Sequence, residues 1–117
     1  MADYPWLKNY DKGVPPTLEP YPQKTMVDFV DESAAAKPYR AMLYFKGARV
    51  LYADFIRQSD ALAAGLVAQG VQKGDRVAML LPNCPQMVIG FHAIWKAGAI
   101  AVPVNPLYTE QIGRAHV

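Results

Sequence analysis

The chain has 117 residues, of which 52% are hydrophobic and 19% charged, a balance that excludes a disordered chain and provides for one small domain. Twelve Lys and Arg against ten Asp and Glu give a formal charge of +2, too small and too evenly spread to point to a nucleic-acid partner. The single Cys84 excludes an internal disulfide and suits a reducing cytosol.

The opening Met-Ala-Asp-Tyr-Pro-Trp has an early acid, a proline and no apolar run, so it does not read as a signal peptide. Residues 1–24 hold Pro5, Pro15, Pro16, Pro20 and Pro22 among Tyr4, Trp6, Tyr10 and Tyr21. That proline density forbids a regular helix and predicts an extended arm whose aromatics lie on a larger surface. A proline-rich ligand for a partner domain fits less well, because no basic PxxP core is present.

Thr25 is placed to cap a helix, with Asp28 three residues on and Met26, Phe29 and Val30 on one face. Pro38 ends that segment. Ala41, Leu43 and Phe45 then alternate with Arg40, Met42 and Tyr44; Lys46-Gly47 signals a turn, and Arg49 to Leu51 returns as the second strand of a hairpin. From Ala53 the period becomes helical, with Phe55, Ile56, Leu62, Ala63, Leu66 and Val67 as the stripe and Gly70 as the stop.

Val77 to Leu81 is a continuous apolar run, the pattern of a parallel strand buried on both faces. Asn83 or Cys84 can cap the next helix, with Pro85 in its first turn. Val88, Phe91, Ile94 and Trp95 are its expected inward face, Gly98 its end, and Ala99 to Val104 a second buried strand. The greasy stretch from Met87 to Val104 is broken by His92, Lys96, Gly98 and Pro103, so it reads as two elements and not as one membrane span. The fold class is α/β: a β-hairpin plus helices, followed by a βαβ unit with parallel strands and a right-handed crossover.

The stretch GDRVAMLLPNCPQMVIGFHAIWKAGAIAVPVNPLYTE resembles the N-terminal part of the adenylate-forming (AMP-binding) superfamily, and within it the bacterial long-chain fatty-acid–CoA ligases. Val50-Leu51-Tyr52-Ala53-Asp54-Phe55 stands where that superfamily has Leu-Ser/Thr-Tyr-x-Glu-Leu, with Asp54 and Phe55 departing from it. Trp95-Lys96-Ala97-Gly98 through Pro103 and Asn105 matches its Leu-Lys-Ala-Gly-x-x-x-x-Pro-x-Asn/Asp motif. The opening YPWLKNYDKGVP is similar to the start of bacterial long-chain members, so the resemblance covers residues 4–110.

The resemblance implies the N-terminal piece of a larger domain, whose full-length enzyme uses ATP, Mg2+ and coenzyme A. A carboxylate, here a fatty acid, is adenylated and then passed to a thiol. An aryl-CoA ligase or an amino-acid adenylation domain shares these early motifs, and a small non-enzymatic α/β interaction module is the rival from another class. The family's Gly/Ser/Thr loop, magnesium-binding carboxylate and catalytic lysine match nothing in this chain. Its glycines, at 13, 47, 65, 70, 74, 90, 98 and 113, never cluster into a phosphate cradle. No catalytic, cofactor-binding or metal residue is therefore assigned, and the fragment alone is expected to be inactive and to bind no cofactor. The resemblance also implies a cytoplasmic enzyme, with peripheral contact to the inner membrane and homodimerisation open to it.

Some side chains invite a role. Lys96 near a helix end complements the helix dipole, and no partner base marks it as catalytic. His92 beside Phe91 reads as a core or rim histidine. Cys84 at a helix start reads as a structural thiol. Asp54 and Asp60 are six apart and do not face each other on a helix, and Asp75-Arg76 reads as a turn.

After PLYTE the sequence changes character. Ile112 to Val117 can be back-translated as ATC GGA AGA GCA CAC GTC, a string found in a common sequencing adapter, whose preceding AG completes a Gln111 codon. Residues 1–24 are thus read as the arm, 25–111 as a partial N-terminal subdomain, and 112–117 as an adapter-derived tail.

Overall fold

Thr25 starts the first long helix with a reciprocal cap. Its Oγ1 accepts from the Asp28 N–H at 3.2 Å, and the Asp28 carboxylate accepts the Thr25 N–H at 2.7 Å. These bonds satisfy donors that a helix start leaves free, and they hold the Asp28 carboxyl below the usual carboxylate range. The computed structural model describes residues 4–115. Its elements in chain order are α1 (Met26–Ala36), β1 (Ala41–Phe45), β2 (Ala48–Leu51), α2 (Tyr52–Ala68), β3 (Arg76–Leu80), α3 (Pro85–Lys96), β4 (Ile100–Val104) and α4 (Glu110–Ala115). The arm before α1 holds one short 3-10 turn at Leu7–Asn9 and keeps Tyr4, Trp6, Tyr10 and Tyr21 exposed.

The strands form two separate pairs: β1 with β2 antiparallel, β3 with β4 parallel. Lys46 and Gly47 join the hairpin with φ of 47° and 81°, the left-handed pair that a two-residue turn between twisted strands requires. A bulge at Met42 shifts the register between Ala41 and Leu43. In the second unit α3 lies between α2 and the parallel strands, and Met79, Ile94 and Ala99 form the centre of the core. Gly90 permits that contact, since a Cβ there would stand 2.7 Å from the Met79 sulfur. Gly70 and Gly98, both at positive φ, end α2 and α3 as expected.

The buried faces differ from the expected ones in three helices. In α1 the inward stripe is Val27, Val30 and Ala34, while Met26 and Phe29 stay exposed. Ala34 is small enough to let neighbouring helices approach, and Phe29 instead lies under the Lys24 ammonium, 5.9 Å from its ring centre. In α2 the buried line is Phe55, Ser59 and Ala63, and Leu62 and Val67 face outward. Ser59 is tolerated inside because its Oγ donates to the Ile56 carbonyl at 3.1 Å. In α3 burial centres on Ile89, Gly90, His92, Ala93 and Ile94, a wide arc because the helix touches two layers, and Trp95 sits at its rim stacked on Phe91.

The parallel pair also departs from its expected double burial. Val77, Met79 and Ala101 face α3, but Leu80 is 63% and Ile100 52% exposed on the opposite face. The apolar run is fit for two covers, and the described residues supply one. The radius of gyration is 18.2 Å, against about 13 Å for a compact chain of this length, and the exposed arm before α1 adds to it.

Lys46 pays a steric cost for its left-handed backbone that asparagine largely avoids. Lys46→Asn is expected to raise the stability of the chain by about 0.5–1 kcal/mol, read as a higher urea midpoint at unchanged slope.

Candidate functional site

In parallel α/β sheets, ligands sit in the crevice beyond the carboxyl ends of the strands. Here Leu81, Pro82 and Asn83 leave β3, and Val104 and Asn105 leave β4, around a cleft of about 400 Å³ closed by Met87 and Tyr108. Asn105 folds the exit loop: its Oδ1 accepts from the Leu107 N–H at 2.9 Å and its carbonyl from the Tyr108 N–H at 3.0 Å. Cys84 occupies the position before α3 with an extended backbone and no capping bond from its side chain, and Pro85 follows in the first turn. The lining offers amides, a phenol and apolar walls. No acid, base or cation is among these lining residues, so the groups they offer a ligand are amides, a phenol and the N-terminal end of α3.

The charged chemistry lies at the other end of α3. Lys96 is in the last turn, where the helix dipole favours a cation, but its ammonium reaches across to two other helices. Nζ stands 2.7 Å from Asp60 Oδ1 and 3.1 Å from Ser59 Oγ on α2, and 3.6 Å from Asp31 Oδ1 on α1. With only 12% of its side chain exposed, it ties the three helices together. The sequence pointed to Lys96 and Asp60 separately and missed Asp31 and Ser59. A serine inside an apolar stripe was the available signal.

His92, one turn earlier, is buried against Phe55 and Trp95, whose rings meet it at 4.9 and 5.2 Å in edge geometry. Its Nδ1 lies 3.3 Å from the Val88 carbonyl. A carbonyl only accepts, so Nδ1 carries the proton. Nε2 is buried with no hydrogen-bond partner among the described residues. Burial pushes the imidazole below its ordinary value, and the Lys96 charge adds to this; the Val88 bond and Asp31 oppose it. The remaining candidates are peripheral. Asp54 pairs with Arg57 at 3.2 Å, and Asp75 accepts the Gln72 N–H at 2.8 Å in the turn before β3. Among the described residues no three His, Cys, Asp or Glu side chains gather as a metal site.

Two measurements follow from this cluster. Lys96→Ala is expected to cost about 1 kcal/mol in urea unfolding, since it removes a bond that Ser59 Oγ accepts while its bond to the Ile56 carbonyl stays, and leaves both carboxylates in water. His92 has a lowered folded pKa, so below the unfolded value near 6.5 the unfolded chain binds the extra proton. Stability is therefore expected to be level above that pH and to fall as pH drops toward the folded pKa. His92→Gln is expected to flatten this decline in midpoints measured between pH 7.5 and 5.

The profile of the AMP-binding enzyme family matches residues 30–113. The chain is 44% identical over 110 residues to a long-chain-fatty-acid–CoA ligase of Bacillus subtilis, covering 94% of this chain and 20% of that protein. Among solved structures it is similar to NpsA-ThdA, an artificially fused adenylation–PCP di-domain from Klebsiella oxytoca, with a TM-score of 0.75, 36% identity, and coverage of 80% of this chain and 18% of that one. The NpsA N-terminal subdomain in complex with 3-hydroxyanthranilyl-AMSN gives a TM-score of 0.73 at 36% identity, covering 77% of this chain and 23% of that one. The chain thus spans about a fifth of the length of the curated relatives it matches. With an antiparallel hairpin, a parallel strand pair and this span of matched residues, the chain belongs to the AMP-binding enzyme family, as a fragment of an adenylate-forming enzyme.

Proposed function

We propose that this chain is the N-terminal fragment of an ATP-dependent long-chain fatty-acid–CoA ligase. The observation that carries the reading is the 44% identity to the Bacillus subtilis ligase over 94% of the chain. In the full-length enzyme a fatty carboxylate would displace pyrophosphate from ATP, and the thiol of coenzyme A would then take the acyl group from the adenylate. Developing charge on phosphoryl and carbonyl oxygens needs fixed cations and donors, with Mg2+ neutralising phosphate charge. The cleft beyond β3 and β4 has a neutral lining, and the Lys96 ammonium is engaged between helices by the carboxylates of Asp31 and Asp60. The fragment is accordingly scaffold and inactive by itself.

Activation of an aryl acid is the second reading, favoured by the likeness to NpsA, a structure of which carries 3-hydroxyanthranilyl-AMSN. No helix among the described residues is long and apolar enough to cross a membrane. Residues 112–117 we assign to adapter; α4 runs through Ala115, and His116 and Val117 lie outside the described residues. Gene sequence beyond Glu110 that encodes this tail and then a stop would overturn that assignment.

The test joins residues 4–110 to the rest of the Bacillus subtilis ligase and measures ATP–pyrophosphate exchange. Exchange that depends on palmitate and fails with benzoate or anthranilate is expected, with none from the 117-residue chain. Exchange by the short chain alone, or a joined protein that ignores fatty acids, refutes the proposal.

A further inference from the structure

We propose that the cleft between the end of α1 and the base of the β1–β2 hairpin binds a dianionic phosphate group, held by Lys37 and Arg40 with the Tyr52 hydroxyl as a further donor. This site stands independently of the acid that the full-length enzyme activates.

The backbone brings the three residues together. Lys37 follows α1, and Arg40 precedes β1. The Arg40 N–H donates to the Lys37 carbonyl at 3.1 Å, which closes a turn with Pro38 in its second position and holds the two α-carbons within about 7 Å. The start of α2 is tied to the same turn. The Tyr52 N–H donates to the Arg40 carbonyl at 3.0 Å, and the Ala53 N–H to the Pro38 carbonyl at 2.9 Å. Ala36 and Ala41 are small and leave room for a cleft of about 540 Å³, whose polar lining is Glu32, Ser33, Lys37, Arg40 and Tyr52. Tyr52 is the first residue of α2, so the positive end of that helix abuts the cleft, and Lys37 offsets the negative end of α1.

The hydrogen-bonding groups left over in the cleft are donors. The Glu32 carboxylate already accepts from the Lys24 ammonium at 2.6 Å, and the Ser33 hydroxyl donates its proton to the Phe29 carbonyl at 2.8 Å. Lys24, Arg57, Lys96 and Arg114 each face a carboxylate of this chain, whereas Lys37 and Arg40 have no carboxylate partner among the described residues. The Tyr52 hydroxyl has no hydrogen-bond partner among them either. A guanidinium fork, an ammonium and a phenol remain, and together they call for an anion that only accepts. Phosphate answers this better than a carboxylate. Two cations match a dianion, the fork takes two oxygens, and a third is free for the ammonium or the phenol. The phosphate can belong to a soluble phosphomonoester or to a lipid headgroup.

NMR titration of the 117-residue chain tests the site. Inorganic phosphate, added against sodium chloride at equal ionic strength, is expected to shift the Lys37, Arg40 and Tyr52 amides saturably, with a Kd of about 1 mM. Arg40→Gln is expected to weaken binding at least about tenfold, and Arg40→Lys and Tyr52→Phe about threefold each. Arg76→Gln, which removes an exposed cation on β3, should leave binding unchanged. Amide positions away from the cleft that match the unaltered chain verify that each variant is folded. Sedimentation with phosphatidylcholine vesicles, with and without phosphatidic acid, separates the two sources. Arg40-dependent sedimentation with phosphatidic acid assigns a headgroup, saturable shifts without sedimentation assign a soluble phosphomonoester, and either supports the site. Shifts no larger with phosphate than with chloride overturn the proposal. So does an equal loss from Arg40→Gln and Arg76→Gln, which would mark general attraction to the cations of the chain.

Discussion

The structure depends on one helix satisfying two neighbours. The helix α3 must meet α2 on one side and the parallel strands on the other, and its sequence is divided accordingly. Gly90 lets β3 approach until the Met79 sulfur fills the space a Cβ would take. Ile94 enters the strand-side core, and His92 turns toward Phe55 of α2. Apolar burial supplies most of the attraction in such a sandwich, but it is indifferent to direction. Direction comes from Lys96, whose single ammonium fixes the helix end against both α1 and α2.

The order and type of the elements from α1 to β4 were legible in the sequence because their punctuation is chemical, whereas α4 and the short 3-10 turn in the arm were not read. Thr25 with Asp28, Lys46-Gly47, Gly70, Pro85 and Gly98 each act through local backbone geometry, which needs no knowledge of the rest of the fold. The buried faces were less legible. An apolar stripe shows that a helix has a preferred side, but which side wins depends on the partner's shape. Ala34 displaced Met26 and Phe29 because close helices need small residues at the contact. Ser59 entered the core because its hydroxyl could satisfy itself locally. The double burial expected of β3 and β4 failed for a different reason: the residues are right for it, and the covering layer is not among those described.

The same distinction governs function. The motif with Trp95, Lys96 and Gly98 is specific enough to identify a family, yet the structure gives these residues work in helix termination and packing. The neutral cleft beyond β3 and β4 stands where α/β proteins commonly bind ligands, but strand ends supply only a place. Charge placed against a reacting oxygen has to come from elsewhere.

Pro103 carries a consequence for the fragment in isolation. Two open edges on one short sheet could let molecules stack head to tail, the β3 edge of one on the β4 edge of the next, a heterologous contact that grows into a filament without closing. Each such junction would lack the hydrogen bond that proline cannot donate. The residue thus weakens head-to-tail stacking of the strand pair at each junction by one hydrogen bond.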